Sequence, residues 1–286
     1  MNYKEQLVKS ATSAGHIGCI GLDPIIEVLP KGYEGISGWV NYLEKIFATL
    51  KEKGITPAAF KPNQGFYIIH DKPLKGDFSG SKALACVIKL CRKQFPGVPV
   101  ILDYKRGDIK KSSHNYAVEG FDNWQADCVT VSPWMGHDSV GPFGEFIDKG
   151  VYLLNRTSNP GAVDFQNVLT KKGPMYMVAA YKIKEWAEQW PGIGVVVGAT
   201  SITELKNLAE EYKEIPMLIP GVGSQGGSAK EVIAALSEAR FNLKLARVNS
   251  SSGLTHPWAK QKAQAPDNWL ETVIEKIESL FNSLKI

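Results

Sequence analysis

Short apolar runs recur along the chain, each followed by polar or glycine-rich residues and then by a stretch of helical periodicity. The runs cover residues 16–23, 58–61, 98–105, 128–132, 151–155, 194–198, 216–220 and 244–249. Most are continuous and rich in β-branched residues rather than alternating, as parallel strands covered on both faces should be. Between them, Val40, Leu43, Phe47 and Leu50 recur at steps of three and four, as do Leu84, Val87, Ile88, Cys91 and Phe95. Ser201 with Glu204 and Ser228 with Glu231 form capping boxes where two later helices should begin. Leu270, Val273, Ile274, Ile277, Phe281 and Leu284 predict a closing amphipathic helix. The stretch 133–150 fits worst, with little helical periodicity. Eight strands alternating with helices over ~250 residues predict an α/β fold, a (β/α)₈ TIM barrel. A doubly wound open sheet uses the same alternation, so periodicity alone leaves both architectures open.

The length of 286 residues suits a barrel folding as one domain over residues 1–286, and no repeat or Pro/Gly/Ser linker divides it. Hydrophobic residues at 44% and charged residues at 22% exclude disordered, collagen-like and coiled-coil chains. A formal net charge of +4 suits a small anionic ligand, and without a basic tail or stripe it gives little support to nucleic-acid binding. The four cysteines form no C-x-x-C pair and read as free, buried thiols in a reducing compartment. The first fifteen residues hold no signal-peptide core, and no run of ~18 apolar residues predicts a membrane span. The expectation is a soluble, cytoplasmic protein.

Polar residues gather at the ends of the apolar runs: Asp23, Lys61 and Asn63, the stretch from Asp103 to Asp108, Arg156 to Ser158, Gln225 and Arg247. In a parallel barrel the strand C-termini share one mouth, where such groups converge on an active site. The central element is Asp103-x-Lys105-x-x-Asp108. Asp103 and Lys105, two apart on a strand, project from one face, and Lys105 stands between two carboxylates while Lys61 adds a second cation. Such an alternating cluster is costly to bury unless fully paired, so it reads either as catalytic machinery or as a structural ion-pair network lining a barrel. Gly221-x-Gly223-x-x-Gly226 matches a dinucleotide fingerprint, but it stands far from the first βα unit and lacks the acid about twenty residues on. It reads better as a phosphate cradle made with the loop after the eighth strand. The five histidines show no metal-ligand spacing, and there is no Walker A loop.

At these residues the chain resembles the orotidine 5′-phosphate decarboxylase family, in its longer bacterial branch. The likeness runs from Gly21-Leu-Asp23-Pro through Phe60-Lys61-Pro-Asn63, Leu102 to Ile109, Thr157-Ser158-Asn-Pro-Gly161 and Pro220 to Gly227, ending at Ala246-Arg247. The resemblance implies a barrel homodimer that converts orotidine 5′-phosphate to UMP without metal or organic cofactor. It implies that Lys61, Asp103, Lys105 and Asp108 are the charged catalytic network, with Asp108, Ile109 and Ser112 supplied by the neighbouring subunit. Asp23 and Lys61 match positions that hold ribose hydroxyls, Ser158 one that reads the pyrimidine edge, and Gln225 and Arg247 the phosphate ligands. The sequence departs from the commoner branch at Arg106-Gly107, where Phe-His is usual, at Ser112 for Thr, and at Ala246 for Gly. Two other readings stand beside this one. A Mg²⁺-dependent sugar-phosphate decarboxylase shares Asp-x-Lys-x-x-Asp but carries Glu where this chain has Lys61. A silent nucleotide-binding protein would bind UMP without releasing CO₂.

Overall fold

The computed structural model describes residues 1–222, 227–261 and 263–286. All eight apolar runs are strands: β1 (Gly18–Gly21), β2 (Ala59–Lys61), β3 (Ile101–Arg106), β4 (Cys128–Val131), β5 (Gly150–Arg156), β6 (Ile193–Val197), β7 (Met217–Pro220) and β8 (Ala246–Ser250). They pair in parallel in the order β2-β1-β8-β7-β6-β5-β4-β3. Backbone bridges Phe60 to Val100 and Asn63 to Asp103 join the two ends, so the sheet closes on itself as a TIM barrel rather than an open sheet. The strands are buried almost throughout, which is why their sequences run apolar without alternation.

Helices cover the outside. The periodic stretches form α2 (Gly35–Glu52), α4 (Ser79–Gln94) and α11 (Trp269–Ser283). Ser201 and Ser228 cap α8 (Ile202–Tyr212) and α9 (Ala229–Glu238), each hydroxyl accepting from the Glu amide three residues on at 3.4 Å. Other outer elements are α3 (Gln64–Ile68), α5 (Lys110–Val118) with a π-turn at Glu119–Asn123, α7 (Met175–Gln189) and the short α10 (Ser252–Thr255).

The stretch 133–150 does carry a helix, α6 (His137–Gly144), with Pro142 inside it. Its apolar stripe is short because it packs by close approach. A Cβ on Gly144 would come within 2.4 Å of the Trp190 ring. Cys19, Cys91 and Cys128 are buried free thiols, whereas Cys86 is exposed, against the expectation for all four.

An N-terminal helix, α1 (Tyr3–Ala14), closes the bottom of the barrel with Tyr3, Leu7 and Ala11 buried. Asn2 and Glu5 cap it reciprocally, and Gly15, at φ 71°, ends it in the left-handed conformation. Arg247 belongs to this floor and not to the mouth. It is fully buried; Nη2 donates to Leu7 O (2.6 Å) and Ser10 Oγ (2.8 Å), Nε to Ala58 O (3.0 Å), and Nη1 to Ala246 O (2.6 Å) and Lys244 O (3.1 Å). As the second residue of β8 it sits at the wrong end of its strand for a substrate phosphate, which corrects the reading from sequence.

Candidate active site

β3 and β4 lose register where the chemistry is. Ile101 and Leu102 pair with Cys128 and Val129, but the next partner of Val131 is Arg106, so β3 bulges over Asp103–Lys105. Within the bulge Lys105 has φ 46°, a left-handed conformation uncommon for a residue with a Cβ. Tyr104 turns outward, its hydroxyl donating to Tyr116 O at 2.9 Å. Asp103 and Lys105 turn inward together, as strand alternation predicts, but across a bulge that the sequence does not announce.

The result is one carboxylate shared by two ammonium groups. Lys61 Nζ donates to Asp103 Oδ2 at 2.8 Å and Lys105 Nζ to Oδ1 at 2.6 Å. Lys61 and Asp103 are buried, while the Lys105 side chain stays 48% exposed toward the mouth. Burial favours a neutral Asp103, but the two lysines outweigh it and hold its carboxyl well below the usual carboxylate range. Burial also works against the charge on Lys61; Asp103 and then Asp23 overcome it, and its pKa lies above the usual lysine value. Asp103 therefore stays ionised, and Lys61 stays a fixed cation.

The β2 end is built around this pair. Asp23 Oδ1 accepts from Asn63 N at 3.1 Å, and Asn63 Oδ1 caps α3 through Gly65 N at 3.1 Å. Arg106, directly after Lys105, turns its guanidinium onto Glu119 in a fork (2.9 to 3.2 Å), reaches Gln64 Oε1 at 3.1 Å and lies over the rings of Tyr104 and Tyr116. It thus ties the ends of β2 and β3 to the π-turn after α5.

A cavity of about 500 Å³ opens at the C-terminal ends of the strands, lined by Asp23, Lys61, Asp103, Lys105, Ser158 and Asn249 among others. A second, of about 650 Å³, shares Ser250 and Ser252 with it and runs along the start of α9 toward α11. Both volumes lie in the range of small-ligand clefts, and the first holds the charged cluster.

The family model for "Orotidine 5'-phosphate decarboxylase / HUMPS family" matches residues 19–248. Orotidine 5′-phosphate decarboxylases of Herpetosiphon aurantiacus and Ralstonia pickettii are 36% and 37% identical over 92% and 82% of this chain, covering 96% and 83% of their own lengths. Among solved structures, an OMP decarboxylase of Leishmania donovani superposes at a TM-score of 0.75 with 28% identity, covering 99% of both chains. A UMP synthase of the same organism superposes at 0.78 with 28% identity, and the chain spans 57% of that longer protein. The chain belongs to the orotidine 5′-phosphate decarboxylase / HUMPS family.

For a member of the orotidine 5′-phosphate decarboxylase family, the residues read from sequence fall into three groups. Asp23, Lys61, Asp103, Lys105 and Ser158 meet at one cavity. Asp108, Ile109 and Ser112 do not line it: Asp108 Oδ1 accepts from Ile109 N at 2.8 Å, its carbonyl accepts from Ser113 Oγ, and Ile109 is exposed. Arg247 lies at the opposite end of the barrel, and Gln225 lies outside the described residues. Arg156, another strand-end charge, is held by Glu204 at 2.8 Å rather than aimed at the cavity. Two lining residues went unread. Asn249 ends the eighth run and follows the same strand-end rule as Asp23; its Oδ1 is buried without a partner. Thr130 sits inside an apolar run, where nothing but its hydroxyl marks it.

Proposed function

We propose that the Lys61–Asp103–Lys105 cluster decarboxylates orotidine 5′-phosphate to UMP and CO₂. The observation that carries this reading is a single buried carboxylate held between two ammonium groups at the mouth of a barrel of this family. Breaking the C6–carboxylate bond leaves its electron pair on C6, in the plane of the ring and poorly delocalised. Lys105, the more open of the two cations, stabilises that charge in a low-dielectric site and gives C6 its proton, which solvent then restores. Asp103 faces the departing carboxylate and holds Lys105 in place; Lys61 and Asp23 hold the ribose hydroxyls, and Ser158 reads the pyrimidine edge.

With Arg247 in the floor, the phosphate goes to the ends of β7 and β8, where Ser250 and Ser252 border both cavities and the start of α9 borders the larger one. Gln225 keeps its phosphate role on the family resemblance alone. Phosphate binding there, remote from C6, supplies energy used at the reacting carbon.

We also read the protein as a cytoplasmic homodimer with shared sites. Asp108, absent from its own cavity, would complete the neighbouring subunit's cluster, flanked by Ile109 and Ser112. Support comes from large apolar side chains exposed after three adjacent strands, among them Phe66, Ile69, Ile109, Trp134 and Met135. No helix among the described residues is long and apolar enough to cross a membrane.

The test is a spectrophotometric decarboxylation assay on orotidine 5′-phosphate, with and without EDTA. Activity that survives the chelator and drops at least about 10³-fold in kcat in Lys105→Ala, with UMP still bound, supports the reading. Activity abolished by EDTA would point to the Mg²⁺-dependent sugar-phosphate reaction. UMP binding without CO₂ release would point to a silent binder.

A further inference from the structure

Thr130 stands on β4 between Val129 and Val131, 1% exposed, at the edge of the cavity beside Asp103. A hydroxyl there is costly unless bonded, and a valine of the same shape would fill the space without that cost. The hydroxyl is instead used to capacity. Its two lone pairs accept from Tyr104 N at 3.1 Å and Lys105 N at 3.0 Å, and its proton goes to Asp103 Oδ1 at 2.9 Å.

That bonding pattern is unusual for a strand. Consecutive strand amides point to opposite sides, so two of them meet one acceptor only where the backbone is turned. Here the turn is the left-handed Lys105 inside the β3 bulge. The Thr130 oxygen replaces the ladder acceptor that the bulge removes. The same atom fixes the carboxylate on which both lysines rest: Lys61 takes Oδ2, while Lys105 and Thr130 share Oδ1.

We infer that Thr130 is a positioning residue for the decarboxylation: its hydroxyl holds the strained Lys105 backbone and the Asp103 carboxylate in one fixed relation, and so sets where the Lys105 ammonium meets C6. Without the hydroxyl, two buried amides lose their acceptor and the bulge is free to relax toward regular pairing. That relaxation carries the ammonium away from its place. Thr130 would touch the machinery and not the reacting atoms, so substrate binding at ribose and phosphate would be left intact.

This inference rests on the assignment of Lys105 to the chemistry, and the experiment separates the two. Thr130→Ala and Thr130→Ser differ from each other only by the hydroxyl, and Thr130→Val keeps the volume if the alanine variant does not fold. For each, kcat is measured with orotidine 5′-phosphate and Kd with UMP. The expected result is a fall in kcat of about 100-fold in Thr130→Ala, the scale of an ångström-sized misplacement, with Kd for UMP within about threefold of wild type. Thr130→Ser should keep kcat within about threefold, because it restores the oxygen. Equal kcat in the alanine and serine variants overturns the inference. So does a parallel loss of kcat and UMP affinity, which would make Thr130 merely structural. Lys105→Ala, run alongside, reports on the underlying assignment: if it keeps its kcat, that assignment fails, whereas a dead Lys105→Ala beside a normal Thr130→Ala removes Thr130 alone.

Discussion

Arginine 247 illustrates how a side chain's end of a strand decides what it does. The strand around it runs upward to Ser250, and its last two residues, Asn249 and Ser250, line the mouth while Arg247 does not. A buried guanidinium is tolerated here because five acceptors, four of them backbone carbonyls, meet its donors. Arg247→Met would strand those acceptors without water, so unfolding stability should fall by about 3 kcal/mol or more, read from the urea midpoint. The preference for orotidine 5′-phosphate over phosphate-free orotidine should stay unchanged in the same variant. A selective loss on the phosphorylated substrate, at unchanged stability, would return Arg247 to the phosphate site.

Between elements, the joint after β3 depends on geometry that only an arginine supplies. Arg106 makes a fork with Glu119, bonds Gln64 and lies over two tyrosine rings at 4.9 and 5.1 Å. Lysine carries the charge but neither the fork nor the flat face. Arg106→Lys should therefore lower stability by about 1–2 kcal/mol although the ion pair itself is partly exposed, again measured by urea denaturation. A change below about 0.3 kcal/mol would mean that the joint is held by α3 and α5 without it.

At the scale of the whole molecule, the shared-site reading has an arithmetic consequence. If Lys105→Ala and Asp108→Ala are each inactive, unfolding and refolding them together makes half of the dimers mixed, and each mixed dimer has one intact site. Random pairing then restores about a quarter of wild-type activity, which follows from two-fold symmetry. A mixture that stays inactive, with mixed dimers demonstrated, places Asp108 in its own subunit's service. Acid stability depends on the core as a whole. Burial, the larger influence in both cases, pushes His16 down to about 4 and His256 to about 3, so both are neutral in the folded protein. Unfolded, each binds a proton below its ordinary value near 6.5. The unfolded state thus holds more protons as pH falls from about 6.5 toward 4, and stability declines over that window by about 3 kcal/mol for each histidine. His16→Gln should lose less stability between pH 7 and pH 4.5 than wild type; an equal loss would show that His16 already titrates normally when folded.

Strand and outer-helix order was legible in the chain because burial on both faces forces continuous apolar runs, and one-sided burial forces a 3.6-residue stripe. The charged cluster was legible for a related reason: Lys61, Asp103 and Lys105 are too costly to place inside a barrel without a purpose, and their spacing puts them at strand ends. What the linear pattern does not carry is closure, handed backbone strain and the end of a strand to which a side chain turns. α1 escaped because its apolar residues are few and its buried face includes Ser10 beside Tyr3, Leu7 and Ala11. α6 escaped because glycine-mediated packing against Trp190 leaves little stripe to read. Arg247 looked like a ligand and Thr130 like filler, because hydrogen-bond partners distant in sequence, Leu7 and Ala58 for one and Asp103 for the other, define both. Local sequence sets which face of an element is apolar; which polar atom meets which across the barrel is fixed only when the strands come into register, since each such bond joins segments separated by tens to hundreds of residues.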